Sequence, residues 1–173
     1  MKMNLLFLGM RVLHVVFGAA WLGGAFAASF FFMPSVQDAG PDGGKVMMAM
    51  VRRKFIVYIA SISGLTVLTG FWLYWRFTSG FDPAMSASNG AKVFGAGGVL
   101  GLVAAILAVS GVTRNVKKVV RLMTEAGTTT DANTRAALLQ QAAAGRQRAG
   151  LFGRIVAIML ILIAMLMAVG HYV

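Results

Sequence analysis

Polar and apolar positions fall into blocks along this chain instead of alternating. Charge-free, mostly apolar stretches run from Val12 to Val36, from Phe55 to Trp75, from Val93 to Thr113 and from Ile155 to Val173. Each approaches or exceeds the roughly 20 residues that a helix needs to cross about 30 Å of hydrocarbon. Lipid cannot satisfy open backbone groups, and runs of this length without two-residue alternation favour helices over barrel strands. The pattern predicts an all-α, integral membrane four-helix bundle, with spans at about 5–36, 55–77, 93–113 and 153–173. Lys2 ahead of an apolar run, with Ala25-Phe26-Ala27 following, imitates a signal peptide and its cleavage site. Arg11 interrupts that run, which then continues to Val36, as a retained span does.

The connections differ in kind. Gln37 to Gly44 (QDAGPDGG) reads as a turn-rich break, and Thr78 to Ala91, rich in Ser and Gly with Pro83, as a loop. Val112 to Ala126 and Ala132 to Arg154 instead have helix-forming composition, with Thr130 or Asp131 as an N-cap. Spans three and four are therefore expected to project as a helical hairpin at about 114–152, a cytoplasmic extension of a single domain. Gly97, Gly101, Ala105 and Ala108 in span three form a small-residue face for close helix packing. Gly18, Gly23 and Gly24 in span one and Gly64 and Gly70 in span two serve the same end or leave room for a flat ligand.

Charge adds orientation. The chain has 16 Lys+Arg against 5 Asp+Glu, a formal +11, with only 12% charged residues and 58% hydrophobic ones. Twelve of the basic residues (Lys45, Arg52, Arg53, Lys54, Arg114, Lys117, Lys118, Arg121, Arg135, Arg146, Arg148 and Arg154) lie in the two connections on one side. The other side has Lys2, Arg11, Arg76 and Lys92. The positive-inside rule then puts both basic connections in the cytoplasm and both termini on the periplasmic side of a bacterial inner membrane. The basic balance is thus topology, and no nucleic-acid partner is expected, because no soluble module interleaves cations with stacking aromatics. Lipid is the first partner, and the basic hairpin suits anionic head groups or a docking protein.

Candidate chemistry is narrow. With no cysteine there is no disulfide, thiolate metal site, iron–sulfur cluster or c-type haem attachment. No span contains Asp or Glu, which argues against a carboxylate proton relay. Nucleophile-elbow, zinc-protease, phosphate-loop and dinucleotide signatures are missing, so no catalytic residue is assigned. The two histidines, His14 and His171, both fall in spans, where ionisable side chains are costly and mark candidate sites. Counted from Pro34 and from Arg154, they lie about 30 Å and about 25 Å up their helices, at compatible depth.

Helical spacing puts Arg11 three residues and Met10 four residues before His14, with Gly18 four and Trp21 seven after it. One face thus offers a cation, an imidazole, a gap and a large aromatic. That suits a b-type haem between spans one and four: His14 and His171 as metal ligands, the macrocycle over Gly18, Trp21 as a wall and Arg11 reaching a propionate. In the plainer alternative, Trp21 is bundle packing, Arg11 an interfacial anchor and His14 a hydrogen-bond partner for a neighbouring helix. A copper-handling site is a further alternative, because Met10 with His14 and Met167 with His171 are both spaced i, i+4.

The stretch RVLHVVFGAAWLGGAFAASFFFMP (Arg11 to Pro34) resembles the first span of a superfamily of small bacterial membrane proteins. These are the copper resistance D proteins, the membrane-bound protoporphyrinogen oxidases and the membrane domain of the cytochrome-linked urate oxidases, which share Leu-His, then Trp-x-Gly, then Pro. RRKFIVYIASISGLTVLTGFWLY (Arg52 to Tyr74) is similar to their second span, and MLMAVGHYV (Met165 to Val173) to the urate-oxidase-type last span. The resemblance covers about half of the chain and implies a haem-associated four-helix bundle. It implies a haem-ligand role for His14 by match to the oxidase branch, and for His171 by match to the terminal histidine of the urate-oxidase branch. The urate oxidases add a cytochrome c domain that a cysteine-free sequence does not have, and the copper branch has more spans. Electron transfer, or a redox-partner role, is the resulting expectation; an accessory or assembly subunit of an oligomer or larger membrane complex is the alternative.

Overall fold

The computed structural model describes residues 5–170 and 172–173, so His171 lies outside the described residues. Among those described, the chain is helical with no strand. The first span is α1 (Leu5–Ala27), a π-helical turn π1 (Ala28–Phe32) and α2 (Met33–Asp38) in one run. After α3 (Gly40–Arg52), the second span is α4 (Phe55–Phe77), followed by the short α5 (Pro83–Ser86). The third is α6 (Asn89–Leu107), π2 (Ala108–Thr113) and α7 (Arg114–Thr128), and the fourth is α8 (Ala132–Val169). Four helices are long and apolar enough to cross a membrane, which makes this a multi-pass membrane protein with an all-α bundle fold. Their outward faces carry exposed Val12, Val16, Leu68, Val99 and Leu102, a continuous apolar surface that only lipid solvates well.

The bundle core is built on Trp21, 2% exposed, with Ala25, Ile62, Ala104, Val156 and Leu160 drawn from all four spans. Lipid is as apolar as leucine, so helix association rests on close packing. Small residues on α6 allow it. Gly97 has Met167 Cε 2.7 Å from where a β-carbon would stand, and Gly111 receives the ring of Phe152. The face that meets α8 therefore runs through Gly97, Ala104 and Gly111, whereas Gly101 has no neighbour within 4 Å of that position.

A second core lies toward the α7–α8 turn. Val116, Val119, Leu122 and Ala126 of α7 recur at helical spacing and are buried, while Arg114, Lys117, Lys118 and Arg121 share the exposed face. Val116, Val119 and Leu122 pack in one cluster with Val36, Met47, Ala142 and Ala149. The segment read as a turn-rich break is largely helix, because its glycines serve close approach. A β-carbon at Gly43 would run into the Val36 carbonyl, and one at Gly44 would stand 2.7 Å from Met123 Cε. Reversal is confined to Ala39 and Gly40, the latter at φ +54°.

The hairpin turn sits where the capping pattern put it. Asp131 caps α8 by accepting the Thr134 N–H at 2.7 Å. The Thr134 side-chain hydroxyl, and after it this N–H, hold the Asp131 carboxyl below its ordinary value by hydrogen bonding to it. A depressed folded-state pKa means that the cap contributes above the unfolded-state value and is lost as pH falls through the folded one. Hydrogen exchange at the Thr134 amide is expected to accelerate, relative to mid-helix amides, only once pH drops below the usual aspartate range. An unchanged ratio down to that range and beyond would disprove the cap.

Candidate functional site

His14 sits on the face of α1 that packs against α4. Gly18, one turn on, faces Thr66, whose Cγ2 would make ordinary contact, at 3.7 Å, with a β-carbon there. Across the interface the α4 surface is hydroxyl-bearing and then bare, with Thr66, Thr69 and Gly70 in succession. The imidazole lies over Gly70, with Cε1 2.7 Å and Nδ1 3.2 Å from the position of an absent β-carbon. Gly70 thus leaves room for a flat group, and that group is the histidine ring itself.

The ring is oriented by two contacts from one nitrogen. His14 Nδ1 lies 3.0 Å from the Thr66 carbonyl oxygen and 3.2 Å from Thr69 Oγ1. Thr69 donates its own proton to the Leu65 carbonyl at 2.7 Å, which leaves its oxygen to accept. A carbonyl only accepts, so the network assigns the proton to Nδ1 and the lone pair to Nε2. An imidazole with Nδ1–H tied to a backbone carbonyl presents Nε2 as a more basic, fixed donor for a metal. Two turns further out, Phe7 and Trp72 close the same interface, their ring centroids 6.3 Å apart.

The other expected site residues are distributed around this point. Arg11 is exposed, one turn nearer the N-terminus. Trp21 stands two turns the other way, inside the bundle core. Gly170, the residue before His171, packs against Phe94 and Gly90 at the outer ends of α6 and α8. Met167 turns to Gly97 on α6, and Met10 is half-buried on α1. Among the described residues no group of three or more His, Cys, Asp or Glu side chains gathers to hold a metal ion.

Thr66 and Thr69 were not singled out in the sequence. The available signal was Ser63, Thr66 and Thr69 at i, i+3 and i+6 in an otherwise apolar span, a polar stripe that fits one helix face. Comparison with family models, with curated proteins and with solved structures found no match to this chain.

Proposed function

We propose that this chain is a bacterial inner-membrane protein that binds a b-type haem through His14 and takes part in electron transfer with a membrane or periplasmic redox partner. The observation that carries the reading is the tethered Nδ1 of His14, which leaves Nε2 as a donor of fixed tautomer and direction inside a membrane span. A half-buried imidazole whose Nδ1 is tied to a carbonyl offers Nε2, a nitrogen donor of the kind that haem iron takes. Bound there, haem would supply one-electron transfer.

The chain's own contributions follow from position. Thr66 and Thr69 hold the imidazole and raise the basicity of Nε2 by accepting from Nδ1. Arg11, exposed one turn nearer the surface, suits a propionate carboxylate by charge and by reach. His171 would be the second residue to hold the iron. The concentration of twelve basic residues on the side of the α7–α8 hairpin supports periplasmic termini and a cytoplasmic hairpin.

Protein purified gently from cells supplied with haem is expected to show a Soret band and a low-spin b-type spectrum on reduction. Conversion to a high-spin spectrum in His171→Ala would assign the second ligand; an unchanged spectrum would remove His171 from the site. Colourless wild-type protein of full helicity would end the haem reading.

A further inference from the structure

Toward the α7–α8 turn, the second and third spans leave a gap between them. A cavity of about 80 Å³ lies there, walled by Phe55, Ile56 and Ile59 of α4 on one side and by Val109, Val112 and Thr113 of π2 on the other. Trp21, Ser29 and Val156, from the first and fourth spans, are its buried floor. The rim is open, because Ala60 of α4 and Val109 of π2 are both exposed. Both π-helical turns border this space, Ala28 and Ser29 belonging to π1. Each is closed by an i+5 bond, from Met33 N–H to Ala28 O and from Arg114 N–H to Val109 O. An inserted residue bulges a helix, and such turns concentrate at functional positions.

Apolar atoms line nearly all of the groove, and Ser63 spends its proton on the Ala60 carbonyl at 2.9 Å. A gap of this kind stays dry, and in a bilayer hydrocarbon is what fills it. The groove ends where the charge-free runs end. Phe55 and Thr113 line it, and their chain neighbours Lys54 and Arg114 are the first cations beyond the second and third spans on this side. Arg53 precedes Lys54 in the turn between α3 and α4, and Lys117 stands one helical turn beyond Thr113. All four cations are exposed, and none has a carboxylate partner among the described residues, where the ion pairs are Lys45–Asp42 and Arg121–Glu125.

We propose that this groove is a site for one anionic phospholipid, with an acyl chain laid between α4 and π2 over Trp21 and the phosphate met by Arg53, Lys54, Arg114 and Lys117. Two features select the occupant. The enclosed space is about half of the roughly 150 Å³ in which a benzene-sized ring binds, so it admits a single flexible chain and not a fused-ring lipid. Four cations without carboxylate partners, placed where hydrocarbon gives way to water, favour a head group that keeps its negative charge over one neutralised by choline.

The test is native mass spectrometry of the full chain, released from nanodiscs that hold equal amounts of phosphatidylglycerol and phosphatidylcholine with the same acyl chains. One phosphatidylglycerol is expected to be retained, with about tenfold preference over phosphatidylcholine. Lys54→Gln with Lys117→Gln is expected to remove most of that preference, whereas Arg135→Gln with Arg148→Gln, the same change of charge on α8 outside the groove, keeps it. Ala60→Phe, whose ring fills the open rim, is expected to lower retention of both lipids. Retention of neither lipid or of both equally, the same effect from the two double variants, or full retention in Ala60→Phe would overturn the proposal. A lipid-free dimer would overturn it too, by putting a second copy of the chain in the groove. None of these readouts involves the absorption spectrum, so the proposal stands or falls separately from haem binding.

Discussion

Trp21→Ala is expected to destabilise the bundle by about 3 kcal/mol, the lower end of the roughly 3–5 kcal/mol seen for large aromatic truncations. The side chain is 2% exposed and touches core residues from every span, so its removal leaves a void that no single helix can close. The lower end applies because lipid offers the unfolded helices an apolar environment too, and what is lost is packing rather than transfer from water. The matching control is Trp75→Ala: that ring is 41% exposed at the end of α4, and the change is expected to cost under about 1 kcal/mol. Equal losses for the two variants, followed by reversible unfolding in micelles, would show that Trp21 does not centre the bundle. The buried N–H, without an acceptor among the described residues, costs roughly 1–3 kcal/mol, which Trp21→Phe would relieve.

His14→Ala is expected to abolish haem absorbance altogether, and Gly70→Ala to disturb it by a different route. The alanine methyl at position 70 would stand 2.7 Å from Cε1 of the imidazole, so the ring must turn or the helices must part. Overpacking of this kind costs about 1–3 kcal/mol, offset by up to about 1 kcal/mol from replacing a mid-helix glycine. Stability therefore falls by up to about 2 kcal/mol, while the Nδ1 contacts to Thr66 and Thr69 are displaced and Nε2 is re-aimed. The expected readout is a weakened or high-spin spectrum in Gly70→Ala at near-wild-type helicity. A Gly70→Ala spectrum identical to wild type would mean that the ring over Gly70 is not the ligand. Thr69→Val, which removes one acceptor but leaves the Thr66 carbonyl, is expected to be milder than either.

Much of the architecture was legible along the chain, because span number depends on apolar length and little else. The hairpin between spans three and four was legible too, since a cap at Asp131 and a run of helix formers on each side leave few alternatives. The QDAGPDGG segment was misleading for a physical reason. Glycine has two uses, backbone freedom and small size, and its sequence does not distinguish them. At Gly40 the φ of +54° uses the first; at Gly43 and Gly44 the proximity of Val36 and Met123 uses the second.

The site divides in the same way. That His14 is costly in a membrane, and hence a candidate, follows from residue type and depth alone. Which helix it faces does not. In lipid a helix can rotate about its axis with little change in apolar contact, so the rotation is chosen by where small residues permit close approach and where a polar group finds a partner. The bare surface at Gly70 beside two acceptors makes that choice for α1 and turns His14 toward α4. The chain's one-dimensional pattern of apolar length and caps determined how many helices are long and apolar enough to cross a membrane and where the turn between α7 and α8 falls. Only the packing of those helices decided that the imidazole is anchored by Nδ1, that Trp21 fills the centre, and that two π turns meet at one cavity, because each depends on which faces come within contact distance.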